Sequence, residues 1–141
     1  MSFPADTSPI ETLVAAHRRK ILVIDDSALI REAAKIALGG IGGWRIATAA
    51  SGEEGIERAV SERFDAILLD VVMPGMDGIA VAERLHAIPT MSSLPIVMLT
   101  ADDRIEDDER FGGTSIVGVI VKPFKISDLS LQVTELLGRS A

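Results

Sequence analysis

The chain contains no cysteine and no long apolar run. The absence of cysteine among 141 residues excludes a disulfide framework, thiolate-bound metals and thiol catalysis. No apolar stretch approaches the roughly 20 residues that cross a bilayer, and residues 1–19 lack the continuous apolar region of a secretory signal. We therefore expect a cytoplasmic protein that is not attached to a membrane.

Positive charge is also scarce. Lysine and arginine together number 14 against 21 aspartate and glutamate residues, which gives a formal net charge of -7. Because nucleic-acid phosphates are bound by clustered basic side chains, this balance argues against a nucleic-acid-binding surface. The only basic cluster is residues 17–20, and such a short run ahead of a strand is more often a solvated lead-in. The length fits one domain with its own core.

What the chain does have is a set of short apolar runs that each end abruptly on a polar residue. The runs are residues 21–24, 66–69, 96–99 and 116–121, and they are followed by Asp25, Asp70, Thr100 and Lys122. Runs rich in valine, isoleucine and leucine are typical of strands buried on both faces, as in parallel sheets covered by helices. Residues 44–48 predict a weaker second strand. With helical patterns between the strands, the sequence predicts an α/β fold: a doubly wound five-stranded parallel sheet in a three-layer sandwich.

Local signals predict where most of the helices begin and end. They are Gly39-Gly40 as the stop of the first helix, Ser51 with Glu54 as a capping box, Asp77 before and Pro89 after the third helix, and Ser127 or Asp128 as the cap of the last. Residues 102–110 fit poorly, because they hold six acidic side chains and only Ile105 is apolar. We expect a weak helix at most, and poor order in residues 102–113 before any switching event.

Residues 1–18 form an N-terminal extension ahead of the domain that spans residues 19–141. Ser8, Pro9 and Glu11 are signals for the start of a helix, and Ile10 and Leu13 begin a narrow apolar stripe. The sequence leaves two alternatives open for this extension. It forms a short helix that packs on its own domain or on a second copy of the chain, or it is a frayed terminus.

The carboxyl ends of parallel strands meet at one edge of a sheet, and ligands of such folds bind there. Asp25, Asp26, Asp70, Thr100 and Lys122 should therefore converge. Neighbouring carboxylates repel one another by up to about 4 kcal/mol per pair at about 4 Å, so a cation must compensate. Oxygen ligands with an open face suit Mg²⁺. A metal, an ammonium and a hydroxyl around one carboxylate form a cradle for a phosphoryl group, and the central carboxylate can act as the nucleophile.

These residues lie in motifs by which the chain resembles the receiver domain of two-component response regulators, with a chemotaxis-regulator-like organisation. The matching strings are ILVIDDS at 21–27, LLDVVMPGMDG at 68–78, PIVMLTA at 95–101 and VKPF at 121–124. The resemblance covers about residues 19–138 and implies the flavodoxin-like strand order 2-1-3-4-5.

The resemblance also implies how the site works. Asp70 would accept a phosphoryl group from a sensor histidine kinase or a histidine phosphotransfer protein. Mg²⁺ would be bound directly by Asp26, Asp70 and the carbonyl of Val72, and through a water by Asp25. The domain would not be an enzyme, beyond slow self-phosphorylation and autodephosphorylation.

Two further residues acquire roles through the same resemblance. Thr100 would be the switch hydroxyl, and Lys122 would be the amine that pairs with the phosphoryl group, aimed inward by a cis bond to Pro123. Phosphorylation would change the conformation and thereby control a downstream protein that the sequence does not identify. We expect a monomer or a weak homodimer.

The chain departs from the usual receiver pattern at three positions. Val119 stands where many receivers carry an aromatic residue, so the coupling of hydroxyl movement to an aromatic rotamer cannot operate. Val72 and Asp102 occupy the positions that tune dephosphorylation in the family. An apolar Val72 cannot hold the attacking water, whereas Asp102 is able to, and the sequence leaves the dephosphorylation rate open.

Three functional classes stay open. The preferred one is a phosphorylation-controlled receiver that acts as a single-domain regulator. The second is the same receiver within a longer protein, such as a diguanylate cyclase or a transcription factor, because residues 140–141 lie where a linker would begin. The third is a metal-dependent aspartyl phosphatase. It is disfavoured because Val72, two residues after Asp70, stands where a second acid-base aspartate would lie.

Overall fold

The computed structural model of the protein describes residues 18–139. Five strands form one parallel sheet in the order β2-β1-β3-β4-β5. The strands are β1 Lys20–Ile24, β2 Arg45–Ala49, β3 Ala66–Asp70, β4 Ile96–Thr100 and β5 Ile116–Val121. The α-helices are α1 Ala28–Ala34, α2 Gly52–Ser61, α3 Gly78–His86 and α4 Ile126–Arg139. The predicted doubly wound α/β fold, with strand order 2-1-3-4-5, is confirmed.

The sheet is packed on both faces, which explains why its central strands are apolar without alternation. Every residue of β3 and β4 is buried, and so are the last four residues of β1. Leu22 and Leu69 belong to the core cluster that contains Ala59 of α2 and the buried apolar residues of α3. Val23 and Leu68 belong to the opposite cluster, with buried residues of α1 and α4. The central strands are thus buried on two sides, and the carboxyl ends of the parallel strands share one edge of the sheet.

The predicted caps of α2 and α3 are confirmed. The hydroxyl of Ser51 accepts a hydrogen bond from the Glu54 amide at 3.2 Å. The carboxylate of Glu54 accepts in turn from the amide of Ala50, one residue ahead of the cap, at 2.7 Å. Asp77 Oδ1 accepts from the Ala80 amide at 2.8 Å and begins α3. These bonds satisfy amides that the first turn of a helix leaves without intrahelical partners.

The predicted cap of the last helix is wrong. The helix α4 begins at Ile126, so Ser127 and Asp128 already lie within its first turn. The carbonyl of Lys125 accepts hydrogen bonds from the amides of Asp128 and Leu129 at 3.0 and 3.1 Å. A cap contributes only about 1 kcal/mol, and burial of the apolar face, which includes Leu129, outweighs that preference.

The predicted stop at Gly39-Gly40 is also wrong. The first helix continues past α1 as a π-helical segment, Lys35–Ile41, which includes both glycines. The chain turns only at Gly43, whose φ of 76° lies in the left-handed region that glycine tolerates. The amide of Trp44 then donates to the carbonyl of Leu38 at 2.9 Å, and both side chains are buried. Packing of this turn on the core therefore overrides the glycine signal.

The fourth crossover departs from the predicted repetition of strand and α-helix. Residues 101–115 form two short 3₁₀ turns, Asp103–Asp107 and Phe111–Gly113, and no α-helix. Ile105 is buried and Phe111 packs partly against the core. Two separated apolar contacts do not make the continuous stripe that an α-helix needs. The predicted lack of order in residues 102–113 before switching stays a prediction.

The predicted N-terminal helix lies outside the described residues, apart from Arg18. The carbonyl of Arg18 accepts a hydrogen bond from Arg45 Nε at 3.3 Å. The division of the chain at residue 19 likewise stays a prediction. Among the helices of residues 18–139, none combines the length and the apolar character that a bilayer span requires.

Candidate functional site

The five polar residues predicted to converge do lie together at the carboxyl edge of the sheet. One carboxylate oxygen from each of Asp25, Asp26 and Asp70 falls within a group whose members are all within 4.8 Å of one another. Lys122 Nζ lies 3.3 Å from Asp25 Oδ2 and 3.2 Å from Asp70 Oδ1. Thr100 is the last residue of β4, in register with Val121, and Lys122 follows directly. Strand ends from β1, β3, β4 and β5 thus build the cluster.

Most of the cluster is withdrawn from solvent. Asp25 is 1% exposed, Asp70 is 5% exposed and Thr100 is 2% exposed, whereas Asp26 is exposed. The Asp25 carboxylate is also held by the Ser27 amide, which donates to its Oδ1 at 2.9 Å. Ser27 in turn caps α1 through its hydroxyl. The start of α1 therefore fixes one wall of the site, and the exposed Asp26 marks its open side.

Burial and like charge both act on Asp70. Removal of the carboxyl from water raises its pKa, and the neighbouring Asp25 carboxylate raises it further. The Lys122 ammonium and the backbone hydrogen bond from Val72 oppose this effect and lower the pKa, but the net direction is upward. A negative charge on Asp70 is therefore under-compensated by the side chains of the site itself.

The donor set fits a hard divalent cation. All three clustered ligands are carboxylates, hard oxygen ligands of the kind that Mg²⁺ prefers, and one of them faces solvent. A bound cation would supply positive charge that balances the carboxylates of Asp25 and Asp70. Val72, the fourth predicted ligand, lies two residues after Asp70 with its side chain exposed, so its apolar side chain cannot contribute and only its carbonyl is available.

Thr100 and Lys122 connect the site to the neighbouring loops. Thr100 Oγ1 accepts a hydrogen bond from the Asp102 amide at 3.1 Å, and the Lys122 amide donates to the Thr100 carbonyl at 2.7 Å. The peptide bond between Lys122 and Pro123 is cis, as the resemblance implies. A movement of the Thr100 hydroxyl would therefore change its hydrogen bond with the Asp102 amide, near the start of the fourth crossover.

Asp102 is the residue whose carboxylate we expect to be able to position the attacking water. This carboxylate is already hydrogen-bonded to another side chain. Arg104 donates to both of its carboxylate oxygens, through Nε at 3.1 Å and Nη2 at 2.9 Å. These hydrogen bonds lower the pKa of Asp102 to about 2. Both side chains of this pair are exposed, so Arg104 engages the Asp102 carboxylate at the protein surface.

A second arginine of the crossover forms a contact that the sequence did not predict. Arg110 Nη2 lies 3.1 Å from Asp77 Oδ2 and 3.0 Å from Asp108 Oδ2. Asp77 is also the cap of α3, so Arg110 ties the fourth crossover to the loop that follows Asp70. The pair with Asp108 is local, but nothing in the sequence signals a partner 33 residues away.

Arg110→Ala should loosen the fourth crossover. Loss of the Asp77 contact should raise the hydrogen-exchange rates of the Asp108, Phe111 and Gly113 amides by roughly three- to tenfold, since partly exposed ion pairs contribute little individually but here restrain a short segment. These amides close the turns of the crossover. The control is Arg104→Ala, which removes an equal charge and a similar local pair. Equal exchange in both variants would contradict a specific role for the Asp77 contact.

The raised pKa of Asp70 also has a consequence for the metal-free protein. A carboxyl whose pKa is higher in the folded state favours folding at low pH, and this contribution is lost as the pH rises through the folded-state pKa. Asp70→Asn, which is neutral throughout, should therefore be more stable than the wild type at neutral pH in a chelating buffer. The gap should narrow as the pH falls through the raised pKa of Asp70. Urea unfolding of both proteins across this pH range measures it, and a gap that widened on acidification would contradict the assignment.

Sequence comparisons identify relatives across nearly the whole described chain. The profile of the response regulator receiver domain matches residues 21–134. The probable transcriptional regulatory protein TcrX of Mycobacterium tuberculosis is 36% identical over 122 residues, which cover 85% of this chain and 50% of TcrX. The response regulator MprA of Mycolicibacterium vanbaalenii is 35% identical over 86% of this chain and 51% of MprA. The chain thus spans about half the length of these curated relatives.

Solved structures show the same fold. The chemotaxis response regulator CheY4 of Vibrio cholerae superposes with a TM-score of 0.78 at 31% identity, covering 84% of this chain and 98% of CheY4. The response regulator TrrA of Thermotoga maritima, solved in complex with Mg²⁺ and BeF, has a TM-score of 0.73 at 32% identity, covering 84% of this chain and 98% of TrrA. The profile, the relatives and the fold agree. The chain belongs to the family of response regulator receiver domains of two-component signal transduction.

Proposed function

We propose that Asp70 accepts a phosphoryl group from a phosphohistidine donor in a reaction that requires Mg²⁺. The observation that carries the proposal is the position of Asp70: a buried carboxylate, 3.2 Å from the Lys122 ammonium and beside two further carboxylates. An Asp70 oxygen attacks phosphorus, the bond from phosphorus to the donor nitrogen breaks, and the imidazole leaves with a proton from solvent. The product is an aspartyl phosphate.

The other residues of the cluster bind and orient the reacting groups. Asp26, Asp70 and the carbonyl of Val72 would hold Mg²⁺, with Asp25 acting through a water. A metal held there would supply positive charge to balance the phosphoryl oxygens. Lys122 pairs with one of these oxygens, and its present ion pairs with Asp25 and Asp70 hold it at the required place.

The proposed signal leaves through the fourth crossover. The hydroxyl of Thr100 donates a hydrogen bond to the new phosphoryl group. The movement of the hydroxyl breaks or rearranges the hydrogen bond that Thr100 Oγ1 accepts from the Asp102 amide. This change reaches the two 3₁₀ turns and the Arg110 contact with Asp77. Because Val119 offers no aromatic ring, the crossover itself is the bistable element. The domain is a signalling receiver, with only slow self-phosphorylation and autodephosphorylation.

The experiment is labelling with a small phosphoryl donor. Phosphoramidate contains the same phosphorus-nitrogen bond as phosphohistidine and needs no cognate kinase. With Mg²⁺ we expect one phosphoryl group per chain, removable by hydroxylamine as an aspartyl phosphate is, and with a chelator we expect none. Labelling that was independent of Mg²⁺, or resistant to hydroxylamine, would refute the proposal.

The output of the protein has two candidates. The first is a separate partner protein that binds the phosphorylated receiver, in the cytoplasm where histidine kinases draw on ATP. The second is a further domain, because the chain spans about half of TcrX, whose name is that of a transcriptional regulator.

Size-exclusion chromatography of the phosphorylated and unphosphorylated chain would test the predicted monomer or weak homodimer.

A further inference from the structure

A second basic side chain reaches the acidic cluster from α1. Arg31 Nη1 donates a hydrogen bond to the carbonyl of Asp25 at 2.8 Å. Arg31 is half-buried, and its own amide donates to the Ser27 carbonyl at 3.0 Å, so it lies one turn into the helix that Ser27 caps. The guanidinium thus comes back over the start of α1 to the strand end that carries two of the clustered carboxylates.

The carbonyl that Arg31 holds belongs to the peptide between Asp25 and Asp26. The Asp25 carboxylate has its own anchors, the Ser27 amide and Lys122. Within residues 18–139, by contrast, no group donates a hydrogen bond to the Asp26 carboxylate, which is exposed. The direction of Asp26 therefore depends on its backbone, and the peptide that precedes it is oriented by Arg31.

We propose that Arg31 is a positioning residue for magnesium binding: by fixing the peptide between Asp25 and Asp26, it directs the Asp26 carboxylate toward Asp70. The inference rests on the proposed function, because it concerns the same site. A charge-assisted hydrogen bond to a carbonyl is stronger than one between neutral groups. It can therefore keep the peptide plane between Asp25 and Asp26 in one orientation despite the repulsion between the clustered carboxylates. The arginine does not touch the metal.

The test is the affinity for Mg²⁺ alone, measured by isothermal titration calorimetry on the full chain. Arg31→Ala should weaken Mg²⁺ binding roughly tenfold, the effect of losing one hydrogen bond from a charged group. Lys35→Ala is the matched control. It removes the same charge four residues further along, where Lys35 pairs with Glu32 at 2.9 Å on an exposed surface. We expect its affinity to stay within about twofold of the wild type, because solvent screens the remote charge.

Arg31→Lys separates positioning from charge. It keeps the positive charge but lacks the planar fork and reach of the guanidinium, so positioning predicts affinity several-fold below the wild type. Wild-type affinity in Arg31→Lys, or equal weakening in Arg31→Ala and Lys35→Ala, would overturn the proposal. If circular dichroism showed that Arg31→Ala does not fold, the Arg31→Lys result would decide alone.

Failure of this inference and failure of the proposed function give different results. If wild-type protein binds Mg²⁺ but is not labelled by phosphoramidate, the proposed function fails, and Arg31 is still judged by the titrations. If labelling succeeds and Arg31→Ala binds Mg²⁺ as the wild type does, only the role of Arg31 fails.

Discussion

Asp70→Asn should abolish labelling by phosphoramidate or by a phosphohistidine donor, with no labelled protein above background. The carboxamide has nearly the shape of the carboxylate but is not nucleophilic, so it can fill the buried position without attacking phosphorus. We expect Lys122, Asp25 and Thr100 to keep their places around it. Intact-protein mass spectrometry, which detects the added phosphoryl group directly, is the measurement.

The matched control for this variant is Asp107→Asn. Asp107 is exposed in the fourth crossover and ends the first of its 3₁₀ turns. Its replacement changes the net charge by the same amount without entering the cluster, and labelling should continue at the wild-type level. Hydroxylamine-sensitive labelling that persisted in Asp70→Asn would place the acceptor on another carboxylate and refute the assignment of Asp70.

The convergence of these residues could be predicted from the sequence because the topology fixes where strand ends lie. Asp25, Asp70, Thr100 and Lys122 each follow or end a buried apolar run, and parallel pairing brings such positions to one edge whatever their neighbours are. The order of the strands cannot be predicted in the same way, because apolar runs of similar length do not show which strand pairs with which. The prediction of strand order depends instead on the resemblance of the motifs.

The contacts of long side chains could not be predicted. Arg110 reaches Asp77 across 33 residues, and Arg31 bends back to the carbonyl of Asp25. Both choices depend on how α1 and the fourth crossover pack, which no local pattern encodes. The same holds for the π-helical segment after α1, where burial of Leu38 overrode two glycines. Local signals carry about 1 kcal/mol each, and core burial outweighs them where the two disagree.

The loop after Asp70 is closed by a glycine that packs directly on the backbone of the phosphoacceptor strand. The Gly78 amide donates to the Val71 carbonyl at 2.7 Å. A β-carbon at position 78 would collide with the carbonyl oxygen of Asp70 and with the α-carbon of Val71. Both are backbone atoms, which cannot turn aside as a flexible side chain can. The start of α3 and the end of β3 must therefore separate before any other residue fits.

Gly78→Ala should consequently lower the free energy of unfolding by about 2 to 3 kcal/mol, the upper part of the range for overpacked sites. It should also slow labelling of Asp70, because the relief of the collision displaces the strand end that carries the acceptor. Gly40→Ala is the control: nothing lies within 4 Å of a β-carbon there and its φ is not positive. That variant should be neutral or stabilised by less than about 1 kcal/mol, since alanine restricts the unfolded chain. Urea unfolding measures both, and equal stability of the two variants would contradict the close approach of Gly78 to Asp70.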